Sequence, residues 1–238
     1  MRIDFVTLFP DAVLNWTRFS ILGRAEEAGL VQFGAVNPRE FATDARRTVD
    51  DEPYGGGPGM VMKPDVLGQA LDSVATETST VVFTDPSGEL FRQEHAEALS
   101  HAEHLVLVCG HYEGIDHRVV EEYAQAIFSI GDFVLTGGEL PAAVIADAVV
   151  RLLPGVLGAA ESLEEDSFAD GLLTYPQFTR PPVWREREVP EVLLSGDHEA
   201  IRRWRRRQRL IRTRERRPDL FARARLSQED IRLLESER

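Results

Sequence analysis

Residues 105–141 read LVLVCGHYEGIDHRVVEEYAQAIFSIGDFVLTGGELP, and the fold is decided in this stretch. Leu105–Cys109 and Ala126–Ile130 are short, apolar and rich in branched side chains, as strands covered on both faces of a parallel sheet should be. The first is followed by a glycine turn bracketed by Gly110 and Gly114, then by a helical segment. The second runs into a turn with Gly131, Gly137 and Gly138, and then into the start of another helix. Glycine is placed where backbone must take positive φ or where another group must come close. Both turns lie at the C-terminal ends of their strands, the edge on which open α/β sheets bind ligands. The stretch therefore predicts a cofactor site.

Outward from it, Ile3–Phe9 and Leu30–Val36 predict two further strands. Between them Asp11–Gly29 has a helical pattern closed by glycine. Lys63–Val74 and Arg92–Ser100 predict helices, and Thr80–Thr84 a strand ending in Asp85-Pro86-Ser87-Gly88, a third turn on the same edge. His95, His101 and His104 are expected to face solvent. Glu139–Leu153 predicts an apolar helix whose Arg151 falls in the last turn, where a cation meets the helix dipole.

Ala42–Met60, ATDARRTVDDEPYGGGPGM, matches neither the dinucleotide nor the P-loop glycine pattern. Loops of this length inside a compact domain are usually functional or disordered. It is expected to close over a ligand or RNA backbone, with Arg46, Arg47, Asp50 and Asp51 as polar contacts. Glycine turns without the dinucleotide fingerprint suit a nucleoside-like ligand. Main-chain groups of Gly131-Asp132-Phe133-Val134-Leu135 could bind an adenine edge.

Charge is unevenly distributed. The 238 residues carry a formal net charge of −13, which alone argues against nucleic acid. Yet Arg202–Arg217 holds ten arginines and one glutamate, so the remainder has 27 − 10 = 17 basic and 40 − 1 = 39 acidic residues, or −22. Guanidinium forks with Trp204 among them point to phosphate contact. A single cysteine excludes an internal disulfide and a cysteine metal cluster; Cys109 is expected to be packed. An aspartate at position 4 argues against a signal peptide, and Asp147 and Arg151 break the longest apolar run, so a cytoplasmic protein is expected.

Composition shifts near residue 160. Glu161–Gly171 is acidic, Thr174–Pro190 is proline-dense, and a basic helix is predicted from Asp197 to about Arg217, stopped by Pro218 and followed by two shorter helices. The expected organisation is an α/β cofactor-binding domain over 1–160, a flexible acidic linker over 161–172 and a helical RNA-binding domain over 173–238. Asp166, within Glu164-Glu165-Asp166, reads either as a solvated acid or as a general base, and composition does not choose.

The chain resembles bacterial tRNA (guanine-N1)-methyltransferases, which methylate guanosine at position 37 beside the anticodon. The matching runs are RTVDDEPYGGGPGM (47–60), LVLVCGHYEGID (105–116), SIGDFVLTGGELPA (129–142), RLLPGVLG (151–158), EDSFADGLL (165–173) and VLLSGDHEAIRRWR (192–205). Pattern alone predicts an ordinary doubly wound sheet. The resemblance implies instead a trefoil-knotted parallel-sheet domain of the SPOUT type, followed by a small all-α domain. It implies S-adenosylmethionine held by Pro86, Gly110, Tyr112, Glu113, Ile130, Gly131, Asp132, Phe133, Val134, Leu135, Gly137 and Gly138. It makes Asp166 the base and Arg151 the catalytic arginine, with Arg202, Arg203, Arg205 and Arg206 on RNA. It further implies a homodimer sharing its active site, and magnesium, for which Glu113 and Asp166 are possible ligands. His111, His117 and Phe83 depart from common family residues (arginine, glutamate and tyrosine), so any tyrosine hydroxyl contact to cofactor is absent.

Overall fold

A computed structural model describes residues 1–158 and 166–235. The chain divides into two compact units, Met1–Gly158 and Ala159–Arg238.

The first unit is a five-stranded sheet with helices on both faces. Its strands are β1 (Arg2–Val6), β2 (Gln32–Val36), β5 (Ser79–Leu90), β6 (His104–Cys109) and β7 (Ala126–Ser129), in the order β2-β1-β6-β5-β7, and every pair is parallel. A short antiparallel pair, β3 (Asp50–Asp51) and β4 (Val61–Met62), stands apart from it. Every residue of the central strand β6 is buried. Its side chains alternate between two cores, as a period of two requires. Leu105, Leu107 and Cys109 pack with Ile3, Phe5 and Ile145; Val106 and Val108 pack with Val6, Phe83, Leu67 and Leu71. The helices supplying those cores are α1 (Pro10–Thr17), α2 (Ser20–Glu27), α3 (Pro64–Val74), α4 (Gln93–Leu99), α5 (His117–Tyr123) and α6 (Glu139–Val150).

Three expectations change in this unit. The helix expected over Asp11–Gly29 is two helices, broken where Phe19 is extended (ψ 141°) and Ser20 is left-handed (φ 48°). The Arg18 carbonyl packs so closely that a Cβ on Gly23 would lie 2.4 Å from it. Secondly, β5 does not end at Thr84. Its register with β7 shifts between Thr84 and Glu89, and pairing resumes through Leu90. Thirdly, His104 is not on the surface. Its Nε2 lies 2.7 Å from Asp4 Oδ2 and its Nδ1 2.7 Å from Ser79 Oγ, while Arg2 Nε lies 2.6 Å from the same Asp4 oxygen. This string, buried except for Arg2, sits at the N-terminal edge of the sheet and knits β1, β5 and β6 together. His95 is half-buried too, its Nδ1 accepting the Arg92 N–H at 3.0 Å to cap α4.

In the second unit, β8 (Val183–Trp184) and β9 (Arg187–Glu188) make a short exposed hairpin within the proline-dense stretch. Helices α7 (Glu191–Leu194), α8 (His198–Arg216), α9 (Pro218–Phe221) and α10 (Gln228–Glu235) follow. Asp197 caps α8 through Oδ1, which accepts from Glu199 N–H at 3.1 Å and Ala200 N–H at 3.0 Å. Leu172, Leu210 and Leu233 form the core. The first residues of the expected acidic linker, 161–165, lie outside the described residues. Asp166–Leu172 belongs to the second unit, with Leu172 only 1% exposed. No helix among the described residues is long and apolar enough to cross a membrane.

Candidate active site

At the C-terminal edge, the segments after β6 and β7 and the irregular middle of β5 enclose a pocket. Of the residues expected to hold cofactor, Pro86, Gly110, Tyr112, Glu113, Ile130, Gly131, Phe133, Val134, Leu135, Gly137 and Gly138 line it together; Asp132 stands among them in sequence but is not a lining residue. Residues so far apart in sequence would not meet without the parallel pairing of β5, β6 and β7.

The turns interlock through bare backbone. Gly138 N–H donates to Gly110 O at 2.8 Å. A Cβ on Gly138 would lie 2.4 Å from Thr84 Oγ1, 2.7 Å from Cys109 Cα and 2.7 Å from Gly110 N. Likewise, a Cβ on Gly88 would lie 2.6 Å from the carbonyl carbon of Ile127. In both places the neighbours include backbone that cannot swing aside. Gly138→Ala should therefore cost about 1–3 kcal/mol of stability, read by urea unfolding, and weaken ligand binding in the pocket.

The glycine-rich loop reaches the same turn. Glu113 N–H donates to Met60 O at 2.9 Å and Met62 N–H to Gly114 O at 2.9 Å. Glu113 occupies the space beside Gly59, where a Cβ would meet its Cγ at 2.3 Å. Tyr112 is left-handed (φ 60°), and its hydroxyl oxygen accepts from Arg39 Nη2 at 3.4 Å. Arg46, Arg47, Asp50 and Asp51 do not line the pocket.

A polar chain that the sequence reading missed borders the pocket. Thr7 Oγ1 donates to Glu139 Oε1 at 2.6 Å, and His111 Nε2 lies 2.9 and 2.7 Å from the two Glu139 oxygens. Only one cue in the sequence pointed there: an acid opening a helix directly after Gly137-Gly138. Beneath, Cys109 is fully buried, and burial first, with Glu139 second, pushes its thiol pKa well up. It stays protonated, in agreement with a packing role.

Arg151 is the C-terminal cap of α6, its N–H donating to Asp147 O at 3.2 Å. Asp166 lies in the second unit, at the start of a turn before Leu172. The expected RNA arginines divide into two kinds. Arg202 and Arg203 are exposed on α8. Arg205 stacks over the Tyr175 ring at 4.8 Å. Arg206 is committed internally: Nε and Nη2 donate to the two oxygens of buried Asp230 at 2.7 and 2.9 Å, and Nη1 donates to Asp170 at 2.7 Å.

Over residues 1–223 the sequence matches the family described as tRNA (Guanine-1)-methyltransferase TrmD. The chain belongs to this family. A tRNA (guanine-N(1)-)-methyltransferase of Moorella thermoacetica is 55% identical across 99% of this chain and 96% of its own. The enzymes of that name from Dictyoglomus turgidum (53%; 99% and 96%) and Frankia casuarinae (56%; 93% and 83%) are similarly close. The pocket stands at the C-terminal edge of the parallel sheet, the edge on which α/β sheets generally bind ligands. Phe83 is 2% exposed in the core, and His117 opens α5 on the surface.

Proposed function

We propose that this chain transfers the methyl group of S-adenosylmethionine to N1 of guanosine 37 in tRNA. The observation that carries the reading is the coincidence of two things: family membership over residues 1–223, and a pocket lined by the residues of the family's glycine motifs.

The lining suits this donor. Its acidic side chains are Asp85 and Glu113, and neither lysine nor arginine is among the lining residues, which favours a cationic ligand over a pyrophosphate. The Ile130–Leu135 run offers main-chain groups to an adenine edge. When bound, S-adenosylmethionine supplies an electrophilic methyl on a sulfonium. The chain's own residues do the rest. Guanine N1 carries a proton at neutral pH and cannot act as a nucleophile while it does. The Asp166 carboxylate takes that proton, the resulting charge spreads to O6, and the Arg151 guanidinium balances it there. Arg151→Ala is expected to slow methyl transfer about 10²–10³-fold, with far-UV circular dichroism and cofactor affinity unchanged; a normal rate removes this arginine from the chemistry.

The architecture fits the same activity. The first domain is read as a trefoil knot on the family resemblance, and the close backbone approaches at Gly88 and Gly138 leave room for a chain packed that tightly. The second domain is a mainly helical tRNA-binding module joined by the acidic linker. A homodimer is supported by α6, whose exposed face carries Leu140 and Val144, four residues apart and 65% and 47% exposed, next to exposed Asp147. Magnesium is kept as a requirement of the family. Among the described residues no three acidic, histidine or cysteine side chains gather, so no step is assigned to it. A tRNA-modifying enzyme of this kind works in the cytoplasm.

Arg202 and Arg203 supply phosphate contacts, whereas Arg206 is occupied by Asp230 and Asp170. Replacing Arg202 and Arg203 by alanine should weaken tRNA binding and flatten the slope of log K against log salt by roughly one for each phosphate no longer neutralised; an unchanged slope makes the α8 face a bystander. The whole reading is tested by incubating the protein with labelled S-adenosylmethionine and tRNA and mapping the modified nucleotide. Label at guanosine 37 is expected, and label elsewhere or none refutes it.

A further inference from the structure

We propose that Asp170, gripped by Arg206 and Arg209, is a positioning residue that fixes the turn carrying Asp166; the inference rests on reading Asp166 as the base. The turn is closed by its own hydrogen bonds. Phe168 N–H donates to Leu172 O at 2.8 Å, Gly171 N–H to Phe168 O at 3.1 Å, and Thr174 N–H to Ser167 Oγ at 3.0 Å. It is also conformationally demanding, because Phe168 is left-handed at φ 79°. A bulky residue keeps that conformation only where its surroundings impose it.

What imposes it is α8. Asp170 Oδ2 accepts from Arg206 Nη1 at 2.7 Å. Its Oδ1 accepts from Arg209 Nη2 and from Leu172 N–H, the latter at 3.2 Å. Just beyond, Leu172 enters the core beside Leu210, Leu173 N–H donates to Thr213 Oγ1 at 2.9 Å, and Arg209 Nε donates to Leu173 O at 3.3 Å. Arg206 is itself anchored on Asp230, whose side chain is 3% exposed. The chain of contacts runs from a buried carboxylate, through Arg206, to a residue four positions from Asp166, and Arg209 grips that residue from the same helix. Asp170 is 40% exposed, so it does not fill the core; its contribution is to receive charged donors that hold the turn.

A base must be placed closely to act, and a misplacement of about 1 Å costs on the order of 100-fold. Asp170→Asn keeps the shape and removes the charge. Single-turnover methyl transfer to tRNA should fall on the order of 10- to 100-fold, while tRNA and S-adenosylmethionine affinities and far-UV circular dichroism stay unchanged. In an Asp166→Asn background the same substitution should leave the residual rate nearly unaltered, because the turn then holds no base. Full additivity of the two substitutions overturns the proposal, as does a wild-type rate for Asp170→Asn when Asp166→Asn is slow. A wild-type rate for Asp166→Asn instead removes the base assignment, and this inference with it. Should Asp170→Asn unfold at the assay temperature, Arg209→Lys, which keeps the charge but loses the fork, is read by the same outcomes.

Discussion

Asp166→Asn is expected to reduce methyl transfer about 10²–10⁴-fold, the range that a positioned general base contributes. The amide is nearly isosteric and cannot accept the N1 proton as a carboxylate does. The loss should appear in the chemical step. Single-turnover rates measured with enzyme in excess over tRNA should fall, while S-adenosylmethionine affinity, measured by calorimetry, remains that of the unaltered protein. Asp166 lies in the second unit and the pocket proposed for the cofactor in the first, which is why the two readouts should separate. Wild-type turnover by the amide variant would mean that the proton leaves by another route.

The second large effect concerns stability. Arg206→Ala should destabilise the second unit by about 3–5 kcal/mol, the usual consequence of leaving one partner of a buried ion pair alone. Asp230 is 2% exposed as a residue and accepts a fork from Arg206 at 2.7 and 2.9 Å, together with the Ser227 N–H at 2.9 Å. The Arg206 guanidinium, first, and the Ser227 N–H hold the carboxyl down at about 2, against the opposing effect of burial. The sign follows from linkage. A carboxyl depressed in the folded state contributes stability that is complete above its unfolded pKa near 4 and is lost as pH falls towards 2. That contribution is about 2 kcal/mol. Urea unfolding followed by tryptophan fluorescence, with Trp184 and Trp204 in this unit, measures both effects. A change under about 1 kcal/mol for Arg206→Ala, the size of an exposed ion pair, would contradict the structural role. A steep acid limb between pH 4 and 2 that persisted in Asp230→Asn would assign that limb to other groups.

What the sequence revealed and most of what it hid have one physical cause. The strand β6 was legible because a strand buried on both faces is written locally, as an unbroken apolar run. So was α8, with Asp197 before it and Pro218 after it. The glycine turns announced a pocket, and eleven of the twelve residues that the family resemblance assigned to the cofactor line it. Most of the failures depend on partners distant in sequence. His104 reads as one more polar residue near a helix until Asp4, 100 residues earlier, meets it. Arg206 resembles its neighbours on a basic helix, and only Asp230 and Asp170, 24 and 36 residues away, convert it from a phosphate ligand into a strut. Glu139 joined the site through Thr7 and His111, again from distant parts of the domain. The break at Phe19 is of another kind, since a helical pattern that continues past a kink looks unbroken.

The position of β1 has a bearing on biosynthesis. One of its edges pairs with β2, about 30 residues on, but the other waits for β6, in which His104 stands opposite Arg2. During translation the amino-terminal strand therefore emerges with a full ladder of unsatisfied amides and carbonyls, and stays half-paired until more than a hundred residues have left the ribosome. Chains of this topology are slow to fold and exposed to mispairing meanwhile. The nascent protein should depend on chaperone shelter more than its finished core suggests.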